Sequence, residues 1–352
     1  MKAMFAKKGI WIALAVISFF VIAGGMDRAW TAEQKPVKMV MTHEVSTTHF
    51  KQTMMVKYAK LVEERTGGKI KGEVYPGGQL YNDRDAIIAL GTGAVQMTWP
   101  ISANLEQINE AYGILNLPLC LEDEMMLKQP GFRSELTELL SSLVGGKNIR
   151  VMGLIRSASG VMCFGRKDVR TVEDLKGLKI RVTGGLTCLD WIKELGASPI
   201  SMAASEMTTA LSQGALDGIM TSPQGWSEII GGAAKYGVDI KNFWPPTYSI
   251  LIDKKFWDQQ PNDIKKVLQS TMDEMSSEQW QYSIDEDMKA YEKLRNVTKV
   301  KVTVISDKDL ADKWLPKTKA TFERFKAKFP AAYKSFVDLN AKYGRKYPPG
   351  NF

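Results

Sequence analysis

Between Asp174 and Pro223 the apolar positions switch between two periods. Leu178, Ile180 and Val182 alternate with Lys179, Arg181 and Thr183, the period of a strand with one buried face, so Arg181 is predicted to point off that face. Cys188, Trp191, Ile192 and Leu195 then recur at helical spacing, with Thr187 placed to cap the start and Gly196 the end. A strand of small and apolar residues is expected over 197–202. Ser205 should cap a helix carrying Met207, Ala210 and Leu211, which Gly214 ends before another strand over 216–220. Ligands of open α/β sheets sit beyond the carboxyl ends of such strands, and there stand Thr221 and Ser222.

The same grammar runs through the rest of the chain. A strand is expected over 37–41 and a loop over 43–49. Met54, Met55, Tyr58, Leu61 and Val62 mark a helix that Thr66, Gly67 and Gly68 stop. A strand over 70–75, a helix over 83–90 and a strand over 94–99 follow, the last closed by Pro100. Such alternation predicts parallel sheets with helices on both faces. The segment 150–155 reads as a crossing into a second domain, 243–251 as the return, and two crossings make a hinge. From Pro261 to about Leu294, Ile264, Val267, Leu268, Met275, Ile284, Met288 and Tyr291 keep a helical spacing with no sustained heptad. A late strand over 300–305 and a pair of surface helices over 317–347 complete the pattern. The fold class is therefore α/β, with two domains, which suits 352 residues.

Composition narrows the class. The chain is 44% apolar and 24% charged, and its net charge of +8 comes from 47 basic and 39 acidic residues spread along the whole length. Such a spread offers no polynucleotide stripe. Lys2, Lys7 and Lys8 precede an apolar run over 10–23 that is shorter than a typical membrane span, the layout of a secretory signal within residues 1–32. Cleavage after Ala32 puts Trp30 where a small side chain is preferred, whereas Ala23 or Gly25 meets that preference earlier; an uncleaved anchor is the alternative. Either way the folded part is expected outside the cytoplasm. Cys120, Cys163 and Cys188 form no close pair and read as small buried residues.

Catalytic and metal chemistry find little support. His43 and His49 are the two histidines, no HExxH or EF-hand spacing occurs, and Gln96 stands where a third glycine would complete the pattern begun by Gly91 and Gly93. No P-loop or GxSxG occurs either. No metal, no cofactor and no enzymatic activity are expected. An arginine held on a strand, by contrast, offers a permanently charged planar fork to an oxyanion, and Arg181 is the first binding candidate; the alternative is a surface arginine paired with a nearby carboxylate. Trp99, at a strand end, is either a flat ligand contact or core. His43, at another strand end, is either a ligand contact or a loop hydrogen-bonder. Trp226, Trp244 and Tyr248 are candidates for the opposite wall, with packing as the alternative.

Taken together, DLKGLKIRV, GASP, SE and DG resemble the DctP-type solute-binding proteins of tripartite ATP-independent periplasmic (TRAP) transporters. THEVSTTHF, VEERTGGKIKGEVYPGGQL, GTGAVQMTW, ILNLPL and FWDQQPNDIKKVL extend the likeness over nearly all of the chain after its amino terminus. The resemblance implies a periplasmic binding protein-like fold with a long helix running across both lobes. Its domain I would be 36–155 plus 247–285, and its domain II 156–246 plus 286–352. It makes Arg181 the carboxylate clamp and places a side-chain hydrogen-bond partner at Thr221 or Ser222, where an ordinary turn is the alternative. It implies a monomeric periplasmic receptor that captures a small organic anion by domain closure and serves a small and a large membrane permease subunit driven by an ion gradient. A receptor for an ATP-driven importer, a sensory receptor and an exported enzyme are the alternatives. The family commonly carries a further arginine in a GxR motif about 20 residues earlier; here Gly160, Val161 and Met162 occupy that place, and neither Arg156 nor Arg166 takes over the role. One anchor favours monoanions, such as hydroxy acids, keto acids or sulfonates, over dianions.

Overall fold

A short polar cap or a glycine opens or closes most elements of the amino-terminal half. The computed structural model describes residues 35–202 and 204–348, so the expected signal segment lies outside the described residues. Strand β1 is Val37–Thr42 and helix α1 is Phe50–Arg65; the His49 ring caps α1 by accepting the Lys51 N–H. Strand β2 is Ile70–Tyr75. Helix α2, Asp83–Thr92, starts at Asn82, whose side chain accepts from the Arg84 and Asp85 amides, and ends at Gly93, whose φ of 81° favours glycine. Strand β3 is only Met97–Thr98. Helix α3, Pro130–Val144, follows, and the crossing strand β4, Ile149–Arg156, lies antiparallel to the return strand β10, Thr247–Asp253, with Arg156 opposite Thr247. The first sheet is ordered β2-β1-β3-β10-β4.

The second sheet is ordered β11-β9-β5-β8-β6-β7. Its strands are β5 (Val161–Phe164), β6 (Lys179–Val182), β7 (Ser198–Ser201), β8 (Gly218–Thr221), β9 (Tyr236–Asp239) and β11 (Lys301–Val304). Helix α4, Leu186–Glu194, and helix α5, Ala204–Ser212, connect them. Helix α4 begins one residue before the expected cap Thr187, and α5 one residue before Ser205, whose side chain lies outside the described residues.

Two expectations about the sheets change. Both sheets are mixed: β10 runs against β3 and β4, and β5 runs against β8 and β9, because crossing and return strands enter each sheet from the other lobe. Strand β6 is covered on both faces. Ile180 and Val182 pack with Cys188 and Trp191, and on the other side Cys163 and Ile219 pack with Met207 and Trp226, so Arg181 is buried rather than on a half-exposed face. All three cysteines are buried and free.

Helix α6, Asn262–Lys293, spans both sheets. Its Ile264, Leu268, Met272 and Met275 enter the core of the first sheet, while Tyr291, near its end, joins a core of the second. Helices α7 (Lys319–Lys328) and α8 (Pro330–Lys342) are more than surface elements, since Phe322, Phe325, Tyr333 and Phe336 share one apolar cluster with Phe132, Leu136, Val151 and Leu154. No helix among the described residues is long and apolar enough to cross a membrane.

Candidate ligand-binding cleft

The carboxyl ends of β1, β6 and β8 converge on a cleft of about 240 Å³ between the two sheets. Glu44, His49, Asp83 and Tyr248 come from the side of the first sheet, and Arg181, Thr183, Thr221, Ser222, Gln224 and Trp244 from the other. Other grooves exist, among them one of about 180 Å³ between Arg133, Arg150 and Asp273, but it lies between α3 and α6, away from these strand ends.

Arg181 is 3% exposed. Its Nε donates to the Met202 carbonyl at 2.9 Å and its Nη1 to the Met220 carbonyl at 3.1 Å, so two backbone acceptors aim the guanidinium. No carboxylate pairs with it among the described residues. Burial pushes it down to about 10, which leaves it charged at neutral pH. A buried cation held by two carbonyls and open on one side to a cleft is prepared for an anion.

Thr221 ends β8 and Ser222 caps the turn that follows, accepting the Gly225 N–H at 2.9 Å, so Ser222 has a turn role and also lines the cleft. Trp244 lines it too, and packs so closely on Gly160 that a Cβ there would come within 2.2 Å of the Trp244 carbonyl oxygen and 2.6 Å of its ring. Tyr248, the last of the expected residues found on the wall, offers its ring face to Lys51 Nζ at 4.2 Å and its neighbours are Phe50 and His49.

The other three expected residues pack behind the walls. Trp99 is 1% exposed, lies edge-on to Tyr58, and presents its carbonyl to Lys51 Nζ at 2.9 Å. Trp226 fills space against Gly237 and donates Nε1 to the Ala234 carbonyl. His43 is buried, its Nε2 2.6 Å from Gln52 Oε1, and burial pushes its pKa down. It is His49, the cap residue immediately before α1, that reaches the cleft, where burial followed by the Lys51 charge lowers it to about 4 and keeps it neutral.

Residues 41–328 match the model of the bacterial extracellular solute-binding protein family 7, DctP. The chain belongs to this family. It is 26% identical over 299 residues to the C4-dicarboxylate-binding protein DctB of Bacillus subtilis, covering 84% of each chain. To the C4-dicarboxylate-binding periplasmic protein DctP of Rhodobacter capsulatus it is 28% identical over 265 residues, 74% of this chain and 78% of that one. Its fold is similar to that of the sugar acid binding protein DctPAm of Advenella mimigardefordensis in complex with galactonate, with a TM-score of 0.77 at 22% identity over 88% of this chain and 99% of the other. It is likewise similar to a TRAP periplasmic solute binding protein from Pseudomonas aeruginosa with bound L-malate, with a TM-score of 0.73 at 23% identity over 82% and 100%.

Within this family framework the place of the further arginine is filled by packing. Met162 lies on β5 in the apolar core, and Gly160 is held without a side chain by Trp244. Arg156 is a hinge residue. Its Nε donates to Asp123 at 2.8 Å and its Nη1 to Asp287 at 2.6 Å and to Ser283 at 3.0 Å, while its backbone exchanges hydrogen bonds with Gln279. Those last three partners lie on α6, so the crossing strand is fastened to the helix that spans both sheets.

Sequence reasoning missed Glu44, His49, Asp83, Thr183 and Glu228 as cleft residues. Thr183, one residue past the end of β6, continues the alternation of Arg181, and Glu44 and His49 sit in the loop after β1, so alternation and strand-end position held part of the signal. Asp83 and Glu228 carried none, because which face of α2 and of the turn after β8 meets the cleft depends on the docking of the two lobes.

Proposed function

We propose that this chain is the periplasmic receptor of a TRAP-type secondary transporter and captures a small organic anion between its two lobes. The observation that carries this reading is Arg181, buried at the cleft and aimed by two carbonyls with no carboxylate partner among the described residues. A ligand carboxylate or sulfonate completes the guanidinium's hydrogen bonds. Thr183, Thr221 or Ser222 adds a neutral hydrogen bond, and Trp244 and Tyr248 exclude water, which strengthens every polar contact inside.

Closure proceeds about the hinge where β4 and β10 run side by side and α6 bridges both sheets. The lobes would divide as 36–155 plus 247–285 and 156–246 plus 286–352, with α7 and α8 packing back on the first lobe through Phe322 and Phe336. The closed lobes form the surface read by a small and a large permease subunit, and the receptor acts as a monomer. The relatives are binding proteins, which supports capture without chemistry. A single arginine anchor supports monoanions over dianions.

A thermal-shift screen over carboxylates and sulfonates tests this, run on the native protein and on Arg181→Ala. A ligand should raise the melting temperature by mass action in the first and far less in the second. Equal shifts in both proteins would remove Arg181 from the site, and recovery of a chemically altered ligand would argue for an enzyme.

A further inference from the structure

The two walls of the cleft differ in charge. Among the described lining residues Arg181 is the one permanent cation, whereas Glu44, Asp83 and Glu228 all contribute carboxylates. Three further groups bear on the count. Lys51 is fully buried behind the wall and its ammonium is committed to the Trp99 carbonyl at 2.9 Å, to Asp83 at 3.5 Å and to the Tyr248 ring face. His49 is neutral, and Arg84 lines the neighbouring groove beside Gly184 rather than the cleft.

The acids are not equally engaged. Asp83 is 1% exposed; its Oδ2 accepts the Ile101 N–H at 3.1 Å, but its Oδ1 has no hydrogen-bond partner among the described residues. Glu44 accepts the Asp83 N–H through one oxygen and is exposed in the cleft, and Glu228 is exposed at its mouth with Gln224 as its neighbour. Partial desolvation by the cleft walls and then the adjacent Asp83 raise Glu44 from its ordinary value although part of the side chain meets solvent, as expected where like charges face one space.

We infer that the ligand is a monocarboxylate whose remaining polar groups are hydrogen-bond donors, hydroxyls above all, directed away from Arg181 toward Glu44, Asp83 and Glu228. This rests on the capture role proposed for the cleft. A carboxylate bound to Arg181 leaves the rest of the ligand facing acceptors. A second carboxylate would meet like charge with no free cation to answer it. A keto oxygen in the same place is an acceptor facing acceptors, and both groups would be desolvated without a partner. Hydroxyls supply the missing protons, each donating to a carboxylate in a charge-assisted bond. Selection between otherwise similar acids thus falls on the polarity of the distal hydrogen bonds, which discriminates more steeply than shape does.

The test is calorimetric titration of the native protein, Glu44→Gln, Glu228→Gln and Arg181→Ala with D-gluconate, D-glycerate, pyruvate and succinate. Both glutamates are exposed and the amide keeps an acceptor oxygen, so these variants retain the fold. The expected result is that at least one hydroxylated acid binds about tenfold or more tighter than pyruvate and succinate, and that the gap narrows by about fivefold or more in at least one glutamine variant. Succinate or pyruvate binding as tightly as the hydroxylated acids, in an Arg181-dependent way, would overturn the donor rule and leave the capture role standing. A gap unchanged in both glutamine variants would overturn it too. If none of the four acids binds, the donor rule fails as well. Binding that survives Arg181→Ala would instead strike at the capture role itself.

Discussion

Arg156 and Arg181 are two guanidiniums at the ends of strands, 2% and 3% exposed, and their surroundings differ in kind. Arg156, at the hinge, holds Asp123 and Asp287 at 2.8 and 2.6 Å. Burial alone would lower it, but the two aspartates more than offset this and leave it raised. Arg181, at the cleft, has carbonyl partners alone, and burial lowers it. Equal burial therefore says nothing about role. The presence or absence of a carboxylate separates an arginine that finishes the fold from one that waits for a ligand.

The largest effect should come from the hinge. Arg156→Met strands two aspartates and should lower stability by about 3–5 kcal/mol, read from denaturant unfolding. A loss under 1 kcal/mol would erase the contrast. Arg181→Ala should do the reverse. It removes a buried charge that no carboxylate neutralises, so stability should hold or rise, while affinity for the anion falls about 100-fold or more, near 3 kcal/mol. Arg181→Lys, a point charge without the fork, should recover part of that affinity.

Lys51 stands between the two extremes. It is buried like Arg181 but has Asp83 at 3.5 Å, so Lys51→Met should cost about 1–3 kcal/mol of stability by leaving the Trp99 carbonyl without a donor and the buried Asp83 without its counter-charge. A neutral result would show that the lobe behind the cleft tolerates an unpaired acid.

The smallest effect concerns a contact between the lobes. Glu106 accepts from Asn116 Nδ2 at 2.6 Å and from the Thr187 N–H at 3.2 Å, at the amino end of α4, and burial raises its pKa. A carboxyl raised in the folded state contributes stability that is complete below its unfolded pKa, near 4.3, and is lost as pH climbs through the folded value. Melting temperatures of the native protein should therefore fall relative to Glu106→Gln across that window, and parallel curves would show that Glu106 does not titrate there.

Much of the fold could be read from pattern. The strands at 37–42, 70–75 and 179–182, the helix at 262–293 and the crossing at 149–156 all follow from periodicity and from glycine and cap residues, which act locally. The mixed sheet order could not be read that way, because β5 and β10 take their direction from the crossings rather than from their own side chains. Of the site, Arg181, Thr221, Ser222, Trp244 and Tyr248 reach the cleft, each at a strand end or beside a crossing. Trp99, Trp226 and His43 carried the same signals and went into the interior, since an aromatic or imidazole at a strand end suits a pocket wall and a core equally well.

The sequence by itself determined which residues could bind an anion, because charge, strand parity and strand-end position are local properties. Only the tertiary structure decided which of two buried arginines was free to do so. Asp123 and Asp287 reach Arg156 from 33 and 131 positions away along the chain, no carboxylate among the described residues reaches Arg181, and Glu44 and Asp83 meet it across the cleft, with Glu228 on its own side, once the two sheets have docked.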